Sequence, residues 1–182
     1  MPNAVELIKS DHREVESLFE KFQSTKRREV ALKICEELTL HAQIEEKLLY
    51  PDVKKEVSAE LEQEAEKEHQ EVKDLIAKIE GLGEGDAQRL GELMTKLQQG
   101  VDHHVQEEES EMLPKVEEQF GVERLNQIGE QITRMKQQAA TATGEQVVDL
   151  TKDELYEKAK EQDVPGRSTM NKDELASAVD EK

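Results

Sequence analysis

The chain has 182 residues, with 43 acids against 25 bases, a net charge of −18, 37% charged residues, 3% aromatics and no Trp. That charge opposes approach to a phosphate backbone or an anionic membrane, which argues against non-specific nucleic-acid binding by the whole chain; no membrane partner is expected. The lone Cys35 cannot form an internal disulfide, no basic and apolar leader opens the chain, and no apolar run reaches the length of a membrane span; a protein of a reducing cytoplasm is expected.

Few prolines and long Glu/Lys/Gln/Leu runs favour amphipathic helices over a sheet, so the expected fold class is all-α. A first helix is predicted from just after Asn3 to about Gln23, with Val5, Ile8, Val15, Phe19 and Phe22 on its buried face and His12 among them. A second runs from Lys26 to about Tyr50. Its stripe is Val30, Ile34, Leu38, His41, Glu45 and Leu48, at steps of four and three. Pro51 marks the end of that helix or a kink close to it, and Ser58 caps a third helix. The third stripe is Leu61, Ala65, His69, Val72, Ile76 and Ile79, closed by the turn Gly81 to Gly85. A fourth carries Leu90, Leu93, Leu97, Val101, His104, Glu108 and Met112. A fifth amphipathic segment follows Gly121, with Val122, Leu125, Ile128, Ile132 and Met135; it either packs along the outside of the four helices or serves a second subunit.

The first two helices and the next two repeat one another. Asp11-His-Arg-Glu-Val-Glu-Ser-Leu-Phe-Glu-Lys-Phe22 reads like Glu68-His-Gln-Glu-Val-Lys-Asp-Leu-Ile-Ala-Lys-Ile79. His41-Ala-Gln-Ile-Glu45-Glu46 and His104-Val-Gln-Glu-Glu108-Glu109 each run on to a proline ten residues after the histidine. Two hairpins of one design predict an up-down four-helix bundle with approximate two-fold symmetry, in which the four histidines converge at similar depth.

Six groups therefore occupy stripe positions where apolar residues are expected: His12, His41, Glu45, His69, His104 and Glu108. A histidine and a glutamate four residues apart share one face of a helix, which is how a helix offers two ligands to one centre. A carboxylate buried without a partner takes up a proton or finds a cation. No Lys or Arg shares the stripes, whereas four imidazoles and two carboxylates suit a pair of first-row divalent metals, with both carboxylates bridging and two histidines on each ion. The competing reading makes the histidines ordinary hydrogen-bonded core residues and the two glutamates edges of a wide polar face. His103, rotated by about 100° from His104, is read as a surface residue or as a hydrogen-bond donor behind the ligands.

From about residue 3 to 118 these motifs resemble the hemerythrin-like, or HHE cation-binding, domain. The resemblance implies a non-haem di-iron centre of two iron ions, with Glu45 and Glu108 bridging and the four histidines completing the coordination. It also implies a small diatomic or peroxide ligand, such as oxygen, peroxide or nitric oxide, that is bound, sensed or scavenged. Oxygen-carrying members have two histidines one turn apart on the third helix, but here the neighbours of His69 at that spacing are Ala65 and Lys73. At least one more coordination position should then be left to water or ligand, which argues for sensing or reaction over reversible carriage. The alternatives are di-iron turnover, peroxidase or ferroxidase-like, and a structural metal-binding interaction protein.

The bundle with its fifth helix is expected to occupy residues 1–138 and a linker 139–148. Residues 149–182 carry two capping-box sequences, Thr151-Lys-Asp-Glu154 and Asn171-Lys-Asp-Glu174, around a Pro165-Gly166 loop. They resemble the SAP-like helix-loop-helix at the start of transcription terminator Rho, which implies contact with nucleic acid or protein. Residues 139–182 hold six bases and eleven acids, so any phosphate contact must be local, at Arg167, Ser168 and Thr169.

Overall fold

A computed structural model describes residues 2–83 and 85–142. Among these residues there is no strand, and the fold is the all-α bundle expected. The expectations for residues 143–182, including the C-terminal helix-loop-helix with Arg167, Ser168 and Thr169, lie outside the described residues. The compact unit that carries the site runs to Met135.

Helix α1 spans Ala4–Thr25. Its start is fixed by a reciprocal cap, in which Asn3 Oδ1 accepts from the Glu6 amide and the Glu6 carboxylate accepts from the Asn3 amide. It continues two residues beyond the predicted end and closes on Lys26, which adopts a left-handed conformation with φ 54° and donates its amide to the Phe22 carbonyl. Helix α2 therefore opens at Arg28 rather than at Lys26 and runs to Ile44. Helix α4 spans Ala59–Glu80, with the Ser58 hydroxyl accepting from the Leu61 amide as expected, and α5 spans Ala87–Glu107. α1 packs on α2, α4 on α5, and α2 on α4.

Pro51 neither ends the second helix nor breaks it. A π-helical turn, Glu45–Leu49, precedes it, and the chain continues as α3, Tyr50–Glu56. The second hairpin does the same through a π turn at Glu108–Met112 and α6, Leu113–Gln119. A proline has no amide to donate and crowds the carbonyl four residues back, and a wider turn just before it relieves both problems. The extra residue also shifts the phase of the stripe. Leu49 is buried in place of the predicted Leu48, and Tyr50 turns inward with it.

Helix α7, Val122–Ala142, settles the choice left open for the fifth segment. Leu125, Ile128 and Ile132 are buried together with Ala4, Val5 and Ile8 of α1 and with Leu113 and Val116 of α6. The helix approaches the N-terminus so closely that a Cβ on Gly129 would stand 2.8 Å from the Pro2 carbonyl oxygen, so only glycine fits there. Val122, at 74% exposure, does not join this face.

The core is divided. One apolar cluster, from Val15 and Phe19 to Leu97 and Val101, fills the end of the bundle where the two hairpins turn. The other holds Ile44, Leu49, Tyr50, Met112 and the α7 face. The inward histidines and glutamates belong to neither. No helix of the described residues is long and apolar enough to cross a membrane.

Candidate metal centre

All six residues singled out from the sequence are buried, and Glu45 is wholly inaccessible. His41 Nε2 lies 3.2 Å and His69 Nε2 3.3 Å from Glu45 Oε2, while His12 Nε2 lies 3.4 Å and His104 Nε2 3.6 Å from Glu108 Oε2. Two overlapping groups result. His12, His41, Glu45 and Glu108 can reach one ion, and Glu45, His69 and His104 can reach another, so Glu45 is common to both.

The outward nitrogens of the histidines also follow the two-fold pattern. His69 Nδ1 is 3.0 Å from Glu46, and His12 Nδ1 is 2.8 Å from Glu109; each acid follows a central glutamate. His104 Nδ1 is 2.9 Å from Glu68, and His41 Nδ1 stands 3.8 Å from Asp11; each acid precedes a central histidine. A carboxylate behind Nδ1 fixes the tautomer and aims Nε2 at the centre, the arrangement expected behind a metal-bound imidazole.

These four acids were not named as site residues from the sequence. Their signal was there, in the acid before His12 and His69 and the second acid after Glu45 and Glu108.

Tyr50 carried no such signal. Its hydroxyl donates to Glu108 Oε1 at 2.9 Å, and lies 3.3 Å from His69 Nε2 and 3.5 Å from Glu45 Oε2. The π turn places it there, because five residues of wider winding bring Tyr50 over Glu45 where an α-helix would rotate it away. The position expected beside His69 for water or ligand is thus flanked by a phenol. Lys73, one turn on from His69, is drawn off to Glu46, at 2.6 and 2.8 Å from its two carboxylate oxygens.

The charges cannot all be satisfied by protein alone. Burial, and then the Glu108 charge, push the Glu45 carboxyl well above the usual range. Burial also acts to raise Glu108, but the charges of His104 and His12 beside it outweigh it and hold this carboxyl low. Burial raises the Tyr50 phenol strongly, reinforced by Glu45 and Glu108, so it keeps its proton and serves as a donor. Even so, His12 Nε2, both ring nitrogens of His41, Glu45 Oε1 and Glu108 Oε2 are buried without a hydrogen-bond partner. Unsatisfied buried groups of this kind are rare and costly, and a cation among those that face inward, all but His41 Nδ1, satisfies them together. Nitrogen and carboxylate donors in this number fit a pair of first-row divalent ions.

A cavity of about 20 Å³ adjoins all four histidines, with Val15, Leu38, Val72, Val101 and Val105 in its wall. It has room for a molecule of about the size of water. His103 turns away from this centre, its side chain 63% exposed, as the surface reading expected.

The hemerythrin HHE cation-binding domain family matches the chain over residues 3–116 and again over 66–167, so most of the second hairpin, residues 66–116, falls in both matches. No curated protein and no solved structure matches it.

Proposed function

Since the chain belongs to the hemerythrin HHE cation-binding family, we propose that it holds a non-haem di-iron centre and uses it to bind, sense or scavenge oxygen, peroxide or nitric oxide. His12 and His41 would serve one ion and His69 and His104 the other, with Glu45 and Glu108 shared between them. Iron bound there supplies an electron-rich centre for a small oxidising ligand. The observation that carries the reading is the convergence of His12, His41, Glu45 and Glu108, which have buried atoms without a hydrogen-bond partner and offer ligand atoms within 4.8 Å of one another, beside a cavity too small for an organic substrate that adjoins the four histidines.

The chain's own groups have defined tasks in this reading. The acids behind Nδ1 orient the imidazoles, the valines and Leu38 keep bulk water out, and Tyr50 holds a proton on Oη beside Glu108. The segment beyond the bundle, with Arg167, Ser168 and Thr169, is proposed to pass the state of the centre to nucleic acid or to a protein partner.

Anaerobic reconstitution with ferrous iron tests the reading. About two irons per chain are expected, with a visible absorption band that responds to dithionite and to air; iron well below one per chain overturns it. Peroxide consumption sustained over many cycles would assign scavenging rather than sensing.

A further inference from the structure

Helix α5 and the π turn that continues it carry two His-x-x-x-Glu pairs in adjacent registers, His103 with Glu107 and His104 with Glu108. A rotation of about 100° per residue turns the first pair out of the bundle while the second points in. The outward pair meets Glu68 of α4: His103 Nε2 lies 3.3 Å from Glu68 Oε1 and 3.4 Å from Glu107 Oε1. The three side chains are 63%, 15% and 42% exposed for His103, Glu68 and Glu107 respectively, so the group opens to solvent.

One ring nitrogen has at most one proton and can satisfy only one of the two carboxylates that face it. A divalent ion satisfies both. With metal bonds of about 2.0–2.1 Å to nitrogen and oxygen, neighbouring ligands of a tetrahedral ion stand about 3.3–3.4 Å apart. Two edges of the group already have that length, and all three ligand atoms lie within 4.8 Å of one another.

We propose that Glu68, His103 and Glu107 form a second, solvent-facing site for a first-row divalent cation, distinct from the buried centre. Its three protein ligands leave the fourth tetrahedral position to water. The net charge of −18 raises the local concentration of cations around it. Glu68 gives its other oxygen to His104 Nδ1 at 2.9 Å, so an ion held here sits one carboxylate away from the buried ligands.

Zinc is the probe. The full chain, His103→Ala and Glu107→Gln are dialysed against Zn²⁺, and the ions retained per chain are counted beside a ring-proton NMR titration of His103. The unaltered chain is expected to retain about one ion more than either variant, and the His103 resonances to shift as that ion binds. Equal zinc content in all three proteins overturns the proposal. So does a His103→Ala chain that loses more than one ion, because His103 would then be supporting the buried centre. Glu68 is left intact, since its loss would also release His104.

Discussion

His12 on α1 and His69 on α4 hold equivalent places in the two hairpins, yet their surroundings differ. At Nδ1 each meets the acid that follows a central glutamate, but Glu46 behind His69 is neutralised by Lys73, whereas the residue at the matching place after His12 is Glu16. At Nε2, His69 faces the Tyr50 hydroxyl, and the residue matching Tyr50 in the second hairpin is Leu113. Burial disfavours charge on both rings. On His12 the carboxylates of Glu108, Glu45 and Glu109 outweigh it and raise the pKa; on His69 burial prevails, assisted by Lys73, and the pKa falls. Duplication builds a symmetric frame of inward histidines and glutamates, and two single-residue differences give it unlike halves.

The largest expected effect comes from removing what the halves share. Glu45→Gln and Glu108→Gln should each lower iron below one per chain, and metal binding should no longer raise the melting temperature. A metal present at 1,000 times its dissociation constant stabilises by about 4 kcal/mol, so this loss is readily visible in thermal melts with and without chelator. Without metal the two variants should part. Burial and the Glu108 charge push the Glu45 carboxyl toward its neutral form, so its amide replacement should cost less stability than that of Glu108. Glu108 is ionised and accepts from Tyr50, so Glu108→Gln should cost about 1.5–3 kcal/mol in urea unfolding. Equal costs would show that the pair shares its proton evenly.

Next in size is Tyr50→Phe, which removes a hydrogen bond to a charged carboxylate and should cost the metal-free protein about 1.5–3 kcal/mol. It should also alter the visible spectrum of the iron-loaded form. Leu113→Met at the matching position should cost under about 1.5 kcal/mol and leave the spectrum unchanged. Matching spectra in all three proteins would remove Tyr50 from the centre.

The smallest effect concerns Lys73. Burial acts to raise the Glu46 carboxyl, but the hydrogen bonds from Lys73 and His69 lower it overall. A depressed carboxylate contributes stability that is full above its unfolded pKa and is lost as pH falls through the folded value. Lys73→Met should therefore remove part of that contribution near neutrality and flatten the acid limb of the stability profile below the ordinary carboxylate range. Thermal melts from neutral pH downward check this, and an unchanged profile would show the ion pair to be screened.

The repeat, the helix stripes and the six inward polar residues were legible in the sequence because a helix converts spacing into direction. His12, His41, Glu45, His69, His104 and Glu108 each fell where a period of 3.6 placed them. That rule fails where the winding changes. The π turns before Pro51 and Pro114 exchanged Leu48 for Leu49 and carried Tyr50 into the centre, because an extra residue in one turn advances every later side chain. Pairings between helices were equally out of reach. Which acid stands behind which histidine, that Lys73 goes to Glu46, and that Glu68 faces both His103 and His104 depend on how α1, α2, α4 and α5 pack. The sequence by itself determined the six inward histidines and glutamates and their two-fold repetition; only the tertiary structure decided where that symmetry breaks, since the break lies in contacts between residues far apart in the chain.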